Sequence, residues 1–435
     1  MKKTLTLMSA LMSMNLSAEP ADTPVPEVPA WRIEADRRIE THRKGEHRLR
    51  IVNADGSPLA NAAVHLEQTG HDFKFGTCVS HGWLARDDEP AQKYREFIAR
   101  HFNTVVGESS MKWAYTETER GKHDFTHADN LMAFATENGL SVRGHTLFWT
   151  KIRYKADWVK ELEGEELKAA MENHLRQILP RYRGKLYAWD GINEMVTARF
   201  FEERIGEGIR SHIYKLAHEL DPDTPLFTNE YSILCNDTGL NGYVELLDKL
   251  IEAGAPIGGI GIQEHAAERI ADVPPEGGHM ERESQYKLTP EGMWARMDRL
   301  AEYGRPIHLT EISFRAENED KRAEAVDKFF RTAFAHPSVE VIMLWGFWQR
   351  AHWLGSPAVL FDSDFNPLPA GKALLNLLEN EWKTRLELET DAEGFVHFHG
   401  FYGPYAVTVR DANGEKNALN LQHTREQTET VLQLH

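Results

Sequence analysis

A chain of 435 residues with 50 basic and 67 acidic side chains carries a formal net charge of −17, which disfavours nucleic acid and anionic membranes as partners and leaves a neutral polymer as the better fit. The length allows one large barrel with a smaller unit, or two to three ordinary domains. Two cysteines, Cys78 and Cys235, are too few for a disulfide scaffold.

The chain opens on Met1-Lys2-Lys3, continues through a Leu- and Met-rich stretch diluted by Thr and Ser, and reaches Asn15-Leu16-Ser17-Ala18. This is similar to a bacterial secretory signal peptide over 1–18, which implies a secreted or periplasmic location. No later stretch approaches the apolar length of a membrane span. Residues 19–30, with four prolines, read as a disordered leader. An N-terminal β segment is expected over 31–70, with strands at Leu49–Val52 and Val64–Leu66 around a Gly/Pro turn.

From Phe73 onward, apolar strand-like runs alternate with helically spaced segments. The runs are Phe73–Val79, Phe102–Val106, Leu140–Phe148, Leu186–Ile192, Leu226–Tyr231, Ile257–Ile262, Pro306–Ile312 and Val339–Trp348. Crossover helices are expected at Ala91–His101, Ala128–Asn138, Gly164–Leu179, Arg210–Leu220, Gly242–Ala253, Pro290–Tyr303 and Lys321–His336. Eight alternations predict an α/β fold, a (β/α)8 TIM barrel over 71–382. A doubly wound open sheet is the alternative, but no G-x-G-x-x-G follows the first strand. Cys78 and Cys235 fall nearly opposite each other around such a barrel, too far apart for a bridge.

Over 383–435 the pattern changes to short alternating strands at Leu386–Leu388, Phe395–Phe398 and Tyr405–Val409. Neither these nor the two N-terminal strands bury enough to stand alone, so both ends are expected to combine into a small β-sandwich-like module. His397 and His399 share one strand face, as a metal pair would. Without a third ligand the reading is a solvated strand.

Catalytic groups of a (β/α)8 barrel gather at the C-terminal ends of its strands. Here those ends supply Glu108, Lys112 and Trp113, then His145 through Trp149, then Asn193 and Glu194. Asn229, Glu230 and Tyr231 follow, then Gln263, Glu264 and His265, then Glu311, and finally Trp345, Trp348 and Trp353. No strand ends in a serine nucleophile elbow, which disfavours acyl transfer. His145 and His265 could join a carboxylate around a metal, but tryptophans among the polar groups suit sugar rings better. Glu194 and Glu311 each close an apolar run, where a carboxylate is costly to bury without partners. Such a pair suits glycoside hydrolysis, with one carboxyl as acid and the other as nucleophile or base.

Six blocks carry a family resemblance. They are Phe102–Trp113 continuing to Gly121 and Ala128-Asp129, Arg143–Trp149, Trp189–Glu194, Gly259–His265, Leu309–Glu311, and Trp345-Gly346. In this order they resemble glycoside hydrolase family ten, the endo-β-1,4-xylanases, over roughly residues 73–380, and the strands before His71 resemble an accessory β-region of plant-type members. The resemblance implies a retaining endo-1,4-β-xylanase acting on xylan or a related β-glycan, monomeric and without metal or organic cofactor. It implies Glu194 as acid/base and Glu311 as nucleophile. It also implies Asn193 on the sugar 2-hydroxyl and His265 orienting Glu311. Glu108, Lys112, His145, Trp149, Tyr231, Gln263, Trp345 and Trp353 are implied in holding the sugars.

The sequence departs from the family pattern at Ser109, where Asn is typical, and at Ser313, where an Asp would support His265. Gln349 and His352 replace an Asp and a Ser, and Trp348 adds bulk beside them. These changes keep two alternatives open: a retaining β-glycosidase of other specificity, and a carbohydrate-binding barrel without turnover.

Overall fold

The computed structural model describes residues 27–273, 287–410, 414 and 416–434. The expected signal peptide, and the expected leader up to residue 26, lie outside the described residues. Strands β1 (Lys44–Val52) and β2 (Ala63–Gln68) come first. The parallel strands β3 (Lys74–Val79), β4 (Thr104–Gly107), β5 (Ser141–Gly144), β6 (Phe148–Trp149), β7 (Ala188–Asn193), β8 (Leu226–Tyr231), β9 (Gly259–Glu264), β10 (Ile307–Ile312) and β11 (Val339–Leu344) follow. Strands β12 (Arg385–Glu389), β13 (Phe395–Phe401), β14 (Gly403–Arg410), β15 (Lys416–His423) and β16 (Glu429–Gln433) end the chain.

Strands β3 to β11 close on themselves, because β5 pairs with both β4 and β7 while β11 pairs with β3. The predicted (β/α)8 barrel is therefore observed. Its third strand is broken: the run expected from Leu140 to Phe148 is split into β5 and β6 by His145–Leu147. Helices cover the barrel from outside, so strands such as β7, β9 and β10 are buried along their whole length. That is why they read as continuous apolar runs rather than alternating ones. The crossover helices fall where their spacing placed them, among them Glu89–His101, Gly164–Tyr182 and Glu319–Phe334. Asp88 and Asn318 cap the first and third through side-chain bonds to backbone N–H groups.

The chain ends do combine. One sheet runs β13-β1-β16 and the other β12-β2-β14-β15. Leu49, Ile51, Val64, Leu66, Val396, Phe398, Tyr405 and Val407 fill the space between them. Two differences from expectation stand out. The segment before β1 is a helix, Ala30–Arg43, instead of β structure, and β15 and β16 complete the sheets without having been predicted. The helix is mostly polar, burying only Ala35, Ile39 and Arg43. Arg43 anchors it by donating to the carbonyls of Phe334 (2.7 Å), His336 (2.6 Å) and Val339 (2.8 Å). Phe73, Phe75, Phe334, Trp382 and Phe401 form an aromatic plug between barrel and module. His399 meets Glu40 and Glu46 at 2.9 and 3.0 Å, and His397 lies on the exposed strand face, as expected of a solvated strand. Cys78 and Cys235 are both buried, and no disulfide joins them. Among the described residues no helix is long and apolar enough to cross a membrane.

Candidate active site

The C-terminal ends of the barrel strands converge on a polar constellation centred on Glu311. Two strands reach it through irregular register. In β7 the pairing with β8 shifts between Asp190 and Ile192, and in β10 the pairing with β9 shifts between Leu309 and Glu311. In a regular strand, neighbours face opposite sides. The shift in β10 lets consecutive residues serve one partner: Thr310 Oγ1 donates to Asn229 Oδ1 (2.6 Å), while Asn229 Nδ2 donates to Glu311 Oε1 (2.8 Å). Such bulges re-aim side chains beside functional sites.

Asn229 Nδ2 also donates to Asn193 Oδ1 (2.9 Å), which accepts from Gln263 Nε2 (3.0 Å) as well. Asn193 Nδ2 in turn lies 3.4 Å from Glu194 Oε1. The two glutamates are thus joined through two carboxamides, and each is only 5% exposed. Glu194 sits just past β7 with φ of 62°, in the left-handed region that costs a non-glycine residue about 1–2 kcal/mol. Its N–H donates to the Asn229 carbonyl (2.9 Å) and its carbonyl accepts from Thr150 Oγ1 (2.6 Å), which hold it there.

Electrostatics acts on Glu311. Burial alone would raise Glu311, but the His265 contact, His145 and Lys112 reverse the sign and hold it below the usual carboxylate value. His265 Nε2 is 3.4 Å from Oε2 and His145 Nε2 is 3.9 Å from Oε1. Ser313 supports His265 where a carboxylate was expected. Its hydroxyl accepts from Trp353 Nε1 (3.3 Å) and lies 3.2 Å from His265 Nδ1. Donation of the Ser313 proton to Nδ1 leaves the imidazole proton on Nε2, facing Glu311. His145 is oriented by Asp190 Oδ2, 2.9 Å from its Nδ1, and Asp190 also pairs with buried Arg143.

The remaining predicted residues surround this centre. Lys112 lies 4.5 Å over the Trp149 ring and 5.8 Å from that of Trp345. Burial lowers its pKa, with Glu311 and Glu108 opposing. Glu108 is raised by burial, with Lys112 opposing. Trp345 meets His145 edge-on at 5.1 Å, and Trp353, half exposed, meets His265 edge-on at 4.8 Å. Trp149 stacks on Tyr154 at 3.7 Å, so Lys112 and Tyr154 occupy its surroundings before any sugar does. Tyr231 donates to Thr197 Oγ1 (3.0 Å) at the rim. Ser109 contacts His81 Nδ1 (3.1 Å), Gln349 accepts from the Ser363 N–H (2.8 Å), and His352 accepts from the Leu354 N–H (3.1 Å). Trp348, expected to add bulk beside the groove, is instead fully buried and stacked on Phe365 at 4.5 Å.

Several contributors had no assigned role in the sequence reading: Asn229, Asp190, Arg143, Thr310, Ser313 in its supporting role, and Lys151. Asp190 and Arg143 carried a usable signal, as opposite charges inside neighbouring apolar strands.

Glu230 and Glu268 are buried carboxyls pushed up to about 8, each chiefly by burial. Each accepts a backbone N–H, from Val196 and Arg315 respectively, both at 2.9 Å. Between the ordinary value of 4.5 and about 8 the folded protein holds protons that the unfolded chain has released. Their contribution is therefore fully present below that lower value and is lost as pH rises through the window. The double variant Glu230→Gln/Glu268→Gln should gain thermal stability over the parent as pH rises from about 5 to about 8. A gap that is constant across that range in thermal melts refutes the assignment.

Fold and site together define a (β/α)8 barrel protein with paired carboxyls across its C-terminal mouth. The sequence model of the family described as Glycosyl hydrolase family 10 matches residues 65–377, and the chain belongs to that family. Endo-1,4-beta-xylanase 2 of Arabidopsis thaliana is 33% identical over 374 residues, which is 84% of this chain and 32% of that protein. The Anti-sigma-I factor RsgI6 of Acetivibrio thermocellus is 32% identical over 394 residues, 90% of this chain and 48% of that protein. The chain therefore spans less than half the length of either relative. The crystal structure of xylanase 10B from Thermotoga petrophila RKU-1 in complex with xylobiose aligns with a TM-score of 0.62 at 28% identity, covering 71% of this chain and 95% of that one.

Proposed function

We propose that the chain is a retaining endo-1,4-β-xylanase, with Glu194 as acid/base and Glu311 as nucleophile. The observation that carries this reading is the asymmetry of the pair. Glu311 is held ionised among His265, His145 and Lys112, while Glu194 is presented on a strained backbone and linked to Glu311 through Asn193 and Asn229.

In the first step an oxygen of Glu311 attacks the anomeric carbon while Glu194 gives its proton to the departing glycosidic oxygen. The bond to the leaving sugar breaks and an ester to Glu311 forms. In the second step Glu194, now an anion, takes a proton from water as that water attacks the same carbon and displaces Glu311. Asn193 is placed to meet the sugar 2-hydroxyl, and Trp345 and Trp353 offer ring faces. The named activity of the Arabidopsis relative and the xylobiose in the Thermotoga structure support xylan as substrate. Export directed by residues 1–18 and action as a monomer belong to the same proposal.

The test is hydrolysis of xylan by the purified chain, with the first product's anomer read by NMR. The β-anomer is expected. Glu194→Ala should lower turnover of xylan by about 10²–10⁴-fold. It should spare the first step on aryl xylosides whose leaving group needs no proton. An initial α-anomer overturns the retaining assignment. Tight binding of xylo-oligosaccharides without hydrolysis selects the reading of a carbohydrate-binding barrel without turnover.

A further inference from the structure

Lys151 follows β6 in the segment from Trp149 to Tyr154, and its Nζ lies 2.5 Å from Glu194 Oε2. The same ammonium stands 4.5 Å over the Tyr231 ring. Its side chain is 27% exposed against 6% for that of Glu194, so the cation is at the rim and the carboxyl behind it. The segment is pinned from below. Lys155 donates to the carbonyl of Trp149 and lies 4.5 Å from the rings of both Phe200 and Phe201. The Lys151 carbonyl accepts from the Tyr154 N–H at 3.2 Å. Asn193 Nδ2 lies near Oε1 and the Lys151 ammonium is ion-paired with Oε2, so the carboxyl of Glu194 is flanked on both oxygens.

Resting on the assignment of Glu194 as acid/base, we propose that Lys151 is its positioning residue: it fixes the carboxyl's rotation and stabilises the charge that appears there as the proton leaves. An ammonium already in place when the anion forms needs no reorganisation at that moment, which is what makes a fixed charge effective in a site shielded from water. The benefit falls on the step in which Glu194 loses its proton to a poor leaving group. A substrate whose leaving group departs without a proton gains little from it.

The experiment compares wild type, Lys151→Met and Lys151→Arg on xylohexaose and on 2,4-dinitrophenyl xylobioside, with Glu194→Ala as control. Lys151→Met should lower kcat/KM on xylohexaose by about 10–100-fold, mostly in kcat, because one aligned electrostatic partner of the transition state is gone. The first step on the aryl substrate should stay within about threefold of wild type, and Lys151→Arg should restore most of the loss. Equal losses on both substrates, a loss confined to KM, or no loss overturns the proposal. If wild type turns over neither substrate, or Glu194→Ala matches wild type on both, the assignment of Glu194 fails and this inference falls with it.

Discussion

Glu311→Ala should abolish xylan hydrolysis, with kcat reduced on the order of 10⁴–10⁶-fold, as expected when a covalent nucleophile that works as a unit with its partners is removed. The structure explains why nothing nearby substitutes. Glu311 is the carboxylate on which His265, His145, Asn229 and Lys112 converge. Removing it leaves their charge and donors facing an empty volume, which a sugar cannot satisfy. The variant should still fold, because its neighbours keep other partners: Asn229 holds Asn193 and Thr310, His145 holds Asp190, and His265 holds Ser313. The measurement is reducing-sugar release together with xylo-oligosaccharide affinity. Loss of turnover with binding retained is the expected result. Turnover within tenfold of the parent removes Glu311 as the nucleophile.

Asp190→Ala should be the most damaging single change to stability. Asp190 is completely buried and receives Arg143 through two nitrogens as well as His145. Burial would push its carboxyl up, but Arg143 and His145 outweigh burial and hold it ionised. Truncation leaves the Arg143 guanidinium buried without its counter-charge, a loss of about 3–5 kcal/mol. His308 Nδ1, 2.7 Å from Arg143, can accept a hydrogen bond but supplies no negative charge. The same change frees His145 from the contact that aims it at Glu311, so activity should fall alongside stability. Denaturant unfolding checks the first effect. A second chain, Asp190→Leu with Arg143→Met, should recover part of the loss, since a buried pair replaced by apolar groups often breaks even. Failure to recover would mean that packing around Asp190, and not its charge, carries the penalty.

The barrel was legible because its strands are buried on both faces and so appear as uninterrupted apolar runs, separated by helices with a clear 3.6-residue stripe. The terminal module was harder. β15 contributes Leu419 and Leu421 in an otherwise polar stretch and β16 spans five residues, so neither has enough alternation to separate it from a loop. The helix Ala30–Arg43 was invisible for a related reason: it buries few side chains and is held by Arg43 on carbonyls far away in sequence. In the site, glutamates ending strands were readable from strand position. The carboxamide link through Asn229 and the Lys151 contact were not, because both depend on register shifts and a loop path that bring residues together from different strands. Ser313 looked like a deficit beside the family pattern, yet a hydroxyl can fix the imidazole tautomer where a carboxylate would favour a charged ring.

The placement of β1 between β13 and β16 bears on how the protein is made. Arg48 pairs with His397 on one side and Glu429 on the other, so the second strand to complete that sheet is synthesised 381 residues after the first (429 − 48). At ribosomal speeds of 5–20 residues per second, that is a wait of roughly 20–75 s. Until β13 is made, both edges of β1 are open to other chains, and Leu49 and Ile51 have only the lone strand β2 of the other sheet to pack on. The barrel between them can close in that time, because its last strand, β11, which pairs with β3, is made before β13 and β16. The nascent chain thus passes through a stage with a finished barrel and an unfinished, adhesive first sheet, the stage at which a chaperone would act and overexpression would most readily lead to aggregation.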